Sequence, residues 1–75
     1  DAITLGSIVR VRDIEEDFEE TYEIVGSQEA NPREGRISDD SPLGRGLHGH
    51  KAGETVVINA PAGDIKFEIL SVENN

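Results

Sequence analysis

The sequence has no cysteine, tryptophan or methionine, one tyrosine, two phenylalanines, and far fewer basic than acidic residues. The absence of cysteine excludes disulfides and thiolate metal sites, and it is compatible with a reducing compartment. With 7 Lys and Arg against 16 Asp and Glu, the net charge of −9 repels phosphate backbones and anionic membranes. We therefore expect no direct binding to nucleic acid and none to a membrane.

Long apolar runs are also missing, and the apolar residues that are present favour strands. No run is long enough for a membrane span or for the core of a signal peptide. Most of the apolar residues are Val or Ile, whose branched side chains fit the half-buried surface of a sheet. Because 75 residues can bury only one small core, we expect a single domain over residues 1–75, with 1–4 and 73–75 as flexible ends.

Alternation of apolar and polar residues predicts two hairpins. The first joins a strand over residues 8–13 to a second strand that ends near Gly26, across an acidic stretch. The second joins strands around residues 56–58 and 65–69 through a turn at Pro61-Ala62-Gly63. Leu70 and Val72 fall out of phase with the preceding residues, which predicts a bulge or a strand end buried on both sides.

Between the hairpins, residues 27–40 form a connection with a short extended piece at 36–38, and one short helix follows. Ser41 can accept hydrogen bonds from first-turn amides, and Pro42 suits the first helical position. Leu43 and Leu47 share a face, and Gly49 is a candidate stop. The predicted fold class is therefore α+β, with the helix packed on an antiparallel sheet.

One glycine pattern imitates a dinucleotide fingerprint. Gly44, Gly46 and Gly49 are spaced as G-x-G-x-x-G, and Asp64 follows twenty residues after the first glycine. A functional fingerprint lies between a strand and a helix of a βαβ unit, so that pyrophosphate meets the helix N-terminus. Here the glycines lie within or at the end of the predicted helix and a hairpin follows them. We interpret the match as coincidental and expect no cofactor.

Other candidate sites are incomplete in the sequence. His48 and His50 offer two imidazoles, but no third metal ligand is fixed by spacing. The acidic run at 13–23 lacks the glycine and the alternating oxygen ligands of a calcium loop, so it is typical of a solvated hairpin tip. Ser41 with His48 lacks a third, orienting group for nucleophilic catalysis. We expect neither a metal site nor a catalytic residue in this chain.

The segment at 37–43 combines a turn, two carboxylates, a helix cap and aliphatic side chains. A rigid, partly apolar loop of this kind is typical of a docking surface for another protein. It is equally typical of an ordinary helix entrance, and the pattern of residues favours neither interpretation.

Two strings of residues point to a family. They are Ile-Val-Gly-x-x-Glu-Ala at 24–30 and Ile-Ser-x-x-Ser-Pro-Leu-Gly at 37–44. With Gly49 and the Pro61-Ala62-Gly63 turn, they resemble the C-terminal domain of the GreA family of bacterial transcription elongation factors. The resemblance extends over residues 3–72 and implies an FKBP-like fold, in which a twisted antiparallel sheet wraps around one short helix.

The resemblance also implies a partner and a location. Gre factors are cytoplasmic and bind bacterial RNA polymerase at the rim of its secondary channel, where the C-terminal domain docks on a coiled coil of the β′ subunit. Their N-terminal coiled coil carries acidic residues that help the polymerase cleave backtracked RNA. Because no such coiled coil precedes Ile3 in this sequence, we expect the chain to be the anchoring, non-enzymatic half of the factor.

Five residues match the family loop that faces the polymerase. We expect partner contacts from Ser38, Asp40, Ser41, Pro42 and Leu43. Pro42 and Leu43 would be apolar anchors, Asp40 would contact a basic partner group, and Ser41 would fix the loop as a helix cap.

The sequence departs from the family at two positions and leaves two alternatives. Gly46 stands where the family usually has Ala, and His50 stands where it usually has a basic residue. One alternative function is that of a Gre-related inhibitor of polymerase. The other is FKBP-like prolyl isomerisation, which needs an apolar, usually aromatic pocket floor and is disfavoured by the scarcity of aromatic residues.

Overall fold

A computed structural model describes residues 1–74. Its five strands form one sheet in the order β3-β2-β1-β5-β4. Two single 3₁₀ turns lie in the connection between β2 and β3. The elements in chain order are β1 (Ile8–Asp13), β2 (Phe18–Val25), β3 (Arg36–Ser38), α1 (Pro42–Leu47), β4 (Thr55–Ala60) and β5 (Gly63–Glu73).

The predicted hairpin of β1 and β2 is antiparallel, and its acidic tip is organised by a buried carboxylate. Asp13 is only 8% exposed, and its Oδ1 accepts hydrogen bonds from the amides of Glu15 and Glu16 at 3.1 and 3.0 Å. Asp17 closes the turn with φ of 56°, and its carboxylate accepts a hydrogen bond from Arg12 at 2.8 Å. The first acid of the run therefore builds the turn, while Glu15 and Glu16 at its tip are exposed to water.

The predicted bulge lies in β5, which pairs antiparallel with both β1 and β4. Arg10 pairs with Ser71 and Val11 pairs with Ile69, so Leu70 is the extra residue. The bulge explains the change of hydrophobic phase because it inverts the faces of the residues that follow it. The hairpin of β4 and β5 closes with Ala60 opposite Gly63.

The sheet is mixed, which differs from the predicted antiparallel arrangement. β3 pairs with β2 in parallel, and the amide of Glu23 donates to the Gly35 carbonyl oxygen at 2.8 Å. The segment between the two strands includes two 3₁₀ turns and an isolated bridge between Asn31 and Arg36, and its turns carry the chain back to the start of β3. A parallel neighbour needs such a long connection, which periodicity within a strand does not reveal.

The curled inner face of the sheet encloses the core together with α1. Leu47 is fully buried, and Leu43 is half-buried against the same cluster. Gly44 is buried at the contact of α1 with β3, where a Cβ would overlap the Ser38 carbonyl oxygen. The core residues are Ile3, Val9, Val11, Ile24, Ile37, Leu47, Val56, Ile58, Phe67 and Ile69.

The two terminal segments that the sequence predicts to be flexible make hydrogen bonds to the rest of the chain. Ile3 is 1% exposed and donates its amide to the His50 carbonyl oxygen at 2.8 Å. Asn74 donates to the carbonyl oxygen of Ala2 at 3.1 Å and accepts from the buried Ser7 hydroxyl. Residue 75, which belonged to the same expectation, lies outside the described residues.

Among residues 1–74, no helix is long and apolar enough to cross a membrane.

Candidate functional site

The entrance to α1 is a rigid corner formed by residues 38–43, which we call the docking corner. Ser41 is the N-cap of α1, and its hydroxyl accepts from the Gly44 amide at 3.1 Å and donates to the Ser38 carbonyl oxygen at 2.7 Å. The Ser38 hydroxyl accepts from the Asp40 amide at 3.0 Å. Since these bonds satisfy the local donors, the two serines hold the backbone of the corner in place.

Asp40 is the exposed charge of the corner, and Arg45 is its partner within the chain. The Arg45 Nη2 donates to the Asp40 Oδ1 at 2.8 Å, and the two side chains are 70% and 75% exposed. This hydrogen bond, with the attraction of the same carboxylate, raises the pKa of Arg45 above its ordinary value. The sequence pattern predicted Asp40 but not Arg45.

An apolar cavity of about 370 Å³ opens beside the corner. Pro42 and Leu43 form its wall on the side of α1, with Ser38 and Ser41 beside them. The hairpin of β4 and β5 supplies another wall, and β2, the connection after it and β3 contribute the remainder. Those other lining residues are Tyr22, Ala30, Pro32, Ile37, Ile58, Asn59, Ala60, Pro61, Ile65 and Phe67.

The lining of the cavity contains no ionisable group other than the Tyr22 phenol. Burial raises the pKa of Tyr22, and the negative charges of Glu20 and Asp13 add to the effect. The cavity is therefore suited to an apolar group, and its side chains supply hydroxyls and one amide rather than a carboxylate, an amine or an imidazole.

Comparison with known proteins agrees with this architecture. The family model described as "Transcription elongation factor, GreA/GreB, C-term" matches residues 1–74. The chain belongs to the GreA/GreB C-terminal domain family. The transcription elongation factor GreA of Listeria welshimeri is 54% identical over 70 residues, which are 93% of this chain and 44% of that protein. GreA of Clostridium perfringens is 50% identical over 72 residues, 96% of this chain and 46% of that protein.

Solved structures of GreA/GreB relatives share the fold. The GreA factor homolog 1 (Gfh1) of Thermus thermophilus has a TM-score of 0.85 and 30% identity, covering 99% of this chain and 49% of that one. The elongation factor GreA/GreB of Nitrosomonas europaea has a TM-score of 0.76 and 25% identity, covering 93% of this chain and 59% of that one. The chain spans less than half the length of the curated GreA proteins that it matches.

In this GreA/GreB domain, the five residues predicted as partner contacts lie together. Ser38, Ser41, Pro42 and Leu43 line the cavity, and Asp40 projects beside it into solvent. The far wall of the cavity was not predicted, because those residues are distant in sequence. The sequence held one signal of these distant residues, which is the position of its three prolines. Pro32, Pro42 and Pro61 all line the cavity.

The other sequence patterns have structural explanations in the GreA/GreB domain. Gly44 and Gly46 lie inside α1, and Gly49 follows it with φ of 83°. The Nδ1 of His50 is 2.7 Å from the Glu54 Oε1, and this hydrogen bond is the largest cause that lowers the Glu54 pKa. Across residues 1–74, no cluster of three His, Cys, Asp or Glu side chains is arranged to hold a metal ion.

Proposed function

We propose that this chain anchors a Gre-type transcription elongation factor to bacterial RNA polymerase and makes or breaks no covalent bond itself. The observation that carries the proposal is the docking corner, which presents an exposed carboxylate beside an open apolar cavity. The docking site on the polymerase is the β′ coiled coil at the rim of the secondary channel, as the family resemblance implies.

The cavity supplies the apolar half of the contact. Pro42 and Leu43 lie at its edge and are held by the helix cap, so little conformational entropy is lost when a partner side chain enters. Each square ångström of apolar surface removed from water contributes about 25 cal/mol. A preformed apolar pocket beside a polar rim is the usual location of the residues that dominate an interface.

Asp40 supplies the charged half of the contact. Its side chain is 75% exposed, so a basic group of the partner can reach it without prior rearrangement of the backbone. Hydrogen bonds between ionised groups are shorter and stronger than neutral ones, and they fix the orientation of docking. In this proposal, Asp40 fixes the orientation of docking and the apolar cavity supplies most of the affinity.

The composition of the cavity supports docking over catalysis. Its polar side chains are the hydroxyls of Tyr22, Ser38 and Ser41 and the amide of Asn59. The Ser41 hydroxyl already donates to the Ser38 carbonyl oxygen, and no lining residue is a His, Asp, Glu or Lys that would act as its base. Cleavage of backtracked RNA would then depend on the coiled-coil half of the factor and on the polymerase.

Binding to core RNA polymerase tests the proposal. We expect the chain to bind the polymerase and to compete with a full-length Gre factor without stimulating RNA cleavage. The double variant Asp40→Ala with Pro42→Ala should lose most of the binding because it removes the carboxylate and part of one cavity wall. Glu16→Ala, at the exposed hairpin tip, is the control for loss of a negative charge.

Three results would count against this function. Full-strength binding by the double variant would remove the docking corner from the contact, and RNA cleavage stimulated by this chain alone would overturn the anchoring role. Turnover of a prolyl peptide, abolished by Tyr22→Phe, would favour the isomerase alternative, because Tyr22 lines the apolar cavity.

A further inference from the structure

Arg45 makes a specific contact that the docking role of Asp40 does not by itself explain. Its guanidinium donates to one carboxylate oxygen of Asp40 at 2.8 Å, while both side chains remain largely exposed. Arg45 is not among the residues that line the cavity. An ion pair this exposed contributes little to folding stability, and both of its charges are accessible to a partner beside the cavity.

Hydrogen bonds hold the backbone of both residues at the entrance of α1. The Asp40 amide donates to the Ser38 hydroxyl at 3.0 Å, and the Arg45 amide donates to the Ser41 carbonyl oxygen at 2.8 Å. Both residues are therefore attached to the capped entrance of α1. The Asp40 carboxylate therefore lies before the first turn of α1, and the Arg45 guanidinium comes from within the helix.

The pair also limits the charge of the corner. Asp39 is exposed beside Asp40, so the docking corner itself presents two carboxylates and no base, and Arg45 is the positive charge beside it. Two free carboxylates on a chain of net charge −9 would attract many cationic surfaces. A neighbouring guanidinium opposes that attraction, because a partner that offers only positive charge is then repelled at Arg45.

We infer that Arg45 is a specificity-determining residue of the docking corner, which selects a partner surface carrying a basic group opposite Asp40 and an acidic group opposite Arg45. The inference rests on the proposed function, which requires a basic group on the partner, and adds that the partner also carries an acidic group. On binding, the partner's base contacts Asp40 and its acid contacts Arg45, so neither residue is left beside a like charge.

Substitutions at both positions test the inference against two probes, core RNA polymerase and an oligolysine peptide. Arg45→Ala should weaken polymerase binding about threefold to tenfold and strengthen oligolysine binding, since it removes the repelling charge. The exchange Asp40→Arg with Arg45→Asp keeps an internal ion pair but reverses its order, and it should abolish polymerase binding. The melting temperatures of these variants should stay close to that of the parent chain.

The control is Lys66→Ala, which removes an exposed positive charge from β5 outside the cavity lining; it should leave polymerase affinity unchanged and strengthen oligolysine binding less than Arg45→Ala does. Polymerase binding by Arg45→Ala at parental strength or above, or unchanged oligolysine binding, would overturn the role of Arg45 alone. Polymerase binding by the exchanged variant at the strength of the parent chain would also overturn the role of Arg45. Failure of the parent chain to bind polymerase would overturn both proposals.

Discussion

Gly44 lies so close to Ser38 that a Cβ on Gly44 would overlap the Ser38 carbonyl oxygen. The same carbonyl oxygen accepts a hydrogen bond from the Ser41 hydroxyl at 2.7 Å. The Ser38 carbonyl group therefore takes part both in the packing of α1 on β3 and in the cap of α1, which couples the packing of the helix to the shape of the docking corner.

Two glycine substitutions separate close packing from helix propensity. Alanine is favoured over glycine in a helix by up to about 1 kcal/mol. Gly44→Ala should nevertheless destabilise the fold by about 1–3 kcal/mol, because its Cβ would meet backbone that cannot move without disturbing the corner.

Gly46→Ala is the matched comparison, since its Cβ would overlap only the terminal Cδ1 of Ile58, a side chain that lines the cavity and can turn into it, and no backbone atom. We expect a change within about 1 kcal/mol. Chemical denaturation of both variants measures the difference. Equal stability of the two would contradict the role assigned to Gly44.

Loss of the helix cap should affect stability and the docking corner together. Ser41→Ala removes the acceptor of the Gly44 amide and the donor to Ser38, and we expect a loss of about 1 kcal/mol. Amide hydrogen exchange at Gly44 should accelerate in this variant.

Ser27→Ala is the control for the cap, because Ser27 is exposed at the start of a 3₁₀ turn that has no side-chain cap. Its stability should match that of the parent chain. A Ser41→Ala variant with unchanged exchange at Gly44 would show that the hydroxyl does not hold the corner.

Tyr22 is a built-in reporter of the cavity because the chain has one tyrosine and no tryptophan. Burial raises its pKa above the ordinary value of 10.0. A raised pKa means that the folded state favours the neutral phenol, so this contribution to stability is complete below pH 10.0 and is lost as pH rises through the pKa of the folded state. Ultraviolet titration of the phenolate measures the shift.

Occupation of the cavity should move the titration further. A partner group that fills the cavity removes water from the phenol, so the pKa of Tyr22 should rise again when polymerase binds. A titration at the ordinary value in the free chain would contradict the burial of Tyr22. The same midpoint with and without polymerase would place the contact outside the cavity.

Because His50 contacts Glu54, we expect the stability of the fold to depend on pH in the acidic range. The hydrogen bond from His50 lowers the pKa of Glu54 below its ordinary value of 4.5. The stabilisation is therefore complete above pH 4.5 and is lost as pH falls through the lowered pKa of the folded state. The parent chain should exceed Glu54→Gln in melting temperature near neutral pH, and the difference should shrink in acid.

A convenient control for this comparison is Glu16→Gln at the hairpin tip, whose side chain is exposed. Its melting temperature should track that of the parent chain at both pH values. A Glu54→Gln difference of constant size across the pH range would show that the carboxylate charge is not what stabilises this turn.

The sequence predicted the elements whose information is local. The alternation in β1, the phase change at Leu70 and the Ser41-Pro42 start of α1 are confirmed by the structure. Each of these depends on residues within a few positions of one another, and the same is true of the strings that identified the family.

What the sequence did not predict depends on contacts between distant residues. The parallel pairing of β3 follows from the path of residues 26–35, which no periodicity encodes. The cavity joins the docking corner to Pro61 and Ile65, and it contains Tyr22 and Phe67 although aromatic residues are scarce. The contact of Arg45 with Asp40 spans the start of α1, and no sequence pattern predicted it.

The three prolines that surround the cavity restrict what can compete for it. Pro32, Pro42 and Pro61 have no amide hydrogen, so at these positions the rim cannot form the backbone ladder by which many domains capture an extended peptide. If the cavity is the docking site proposed above, a short peptide in extended conformation should bind it poorly. Chemists seeking to block this surface would do better with a prefolded, side-chain-presenting scaffold such as a stapled helical hairpin.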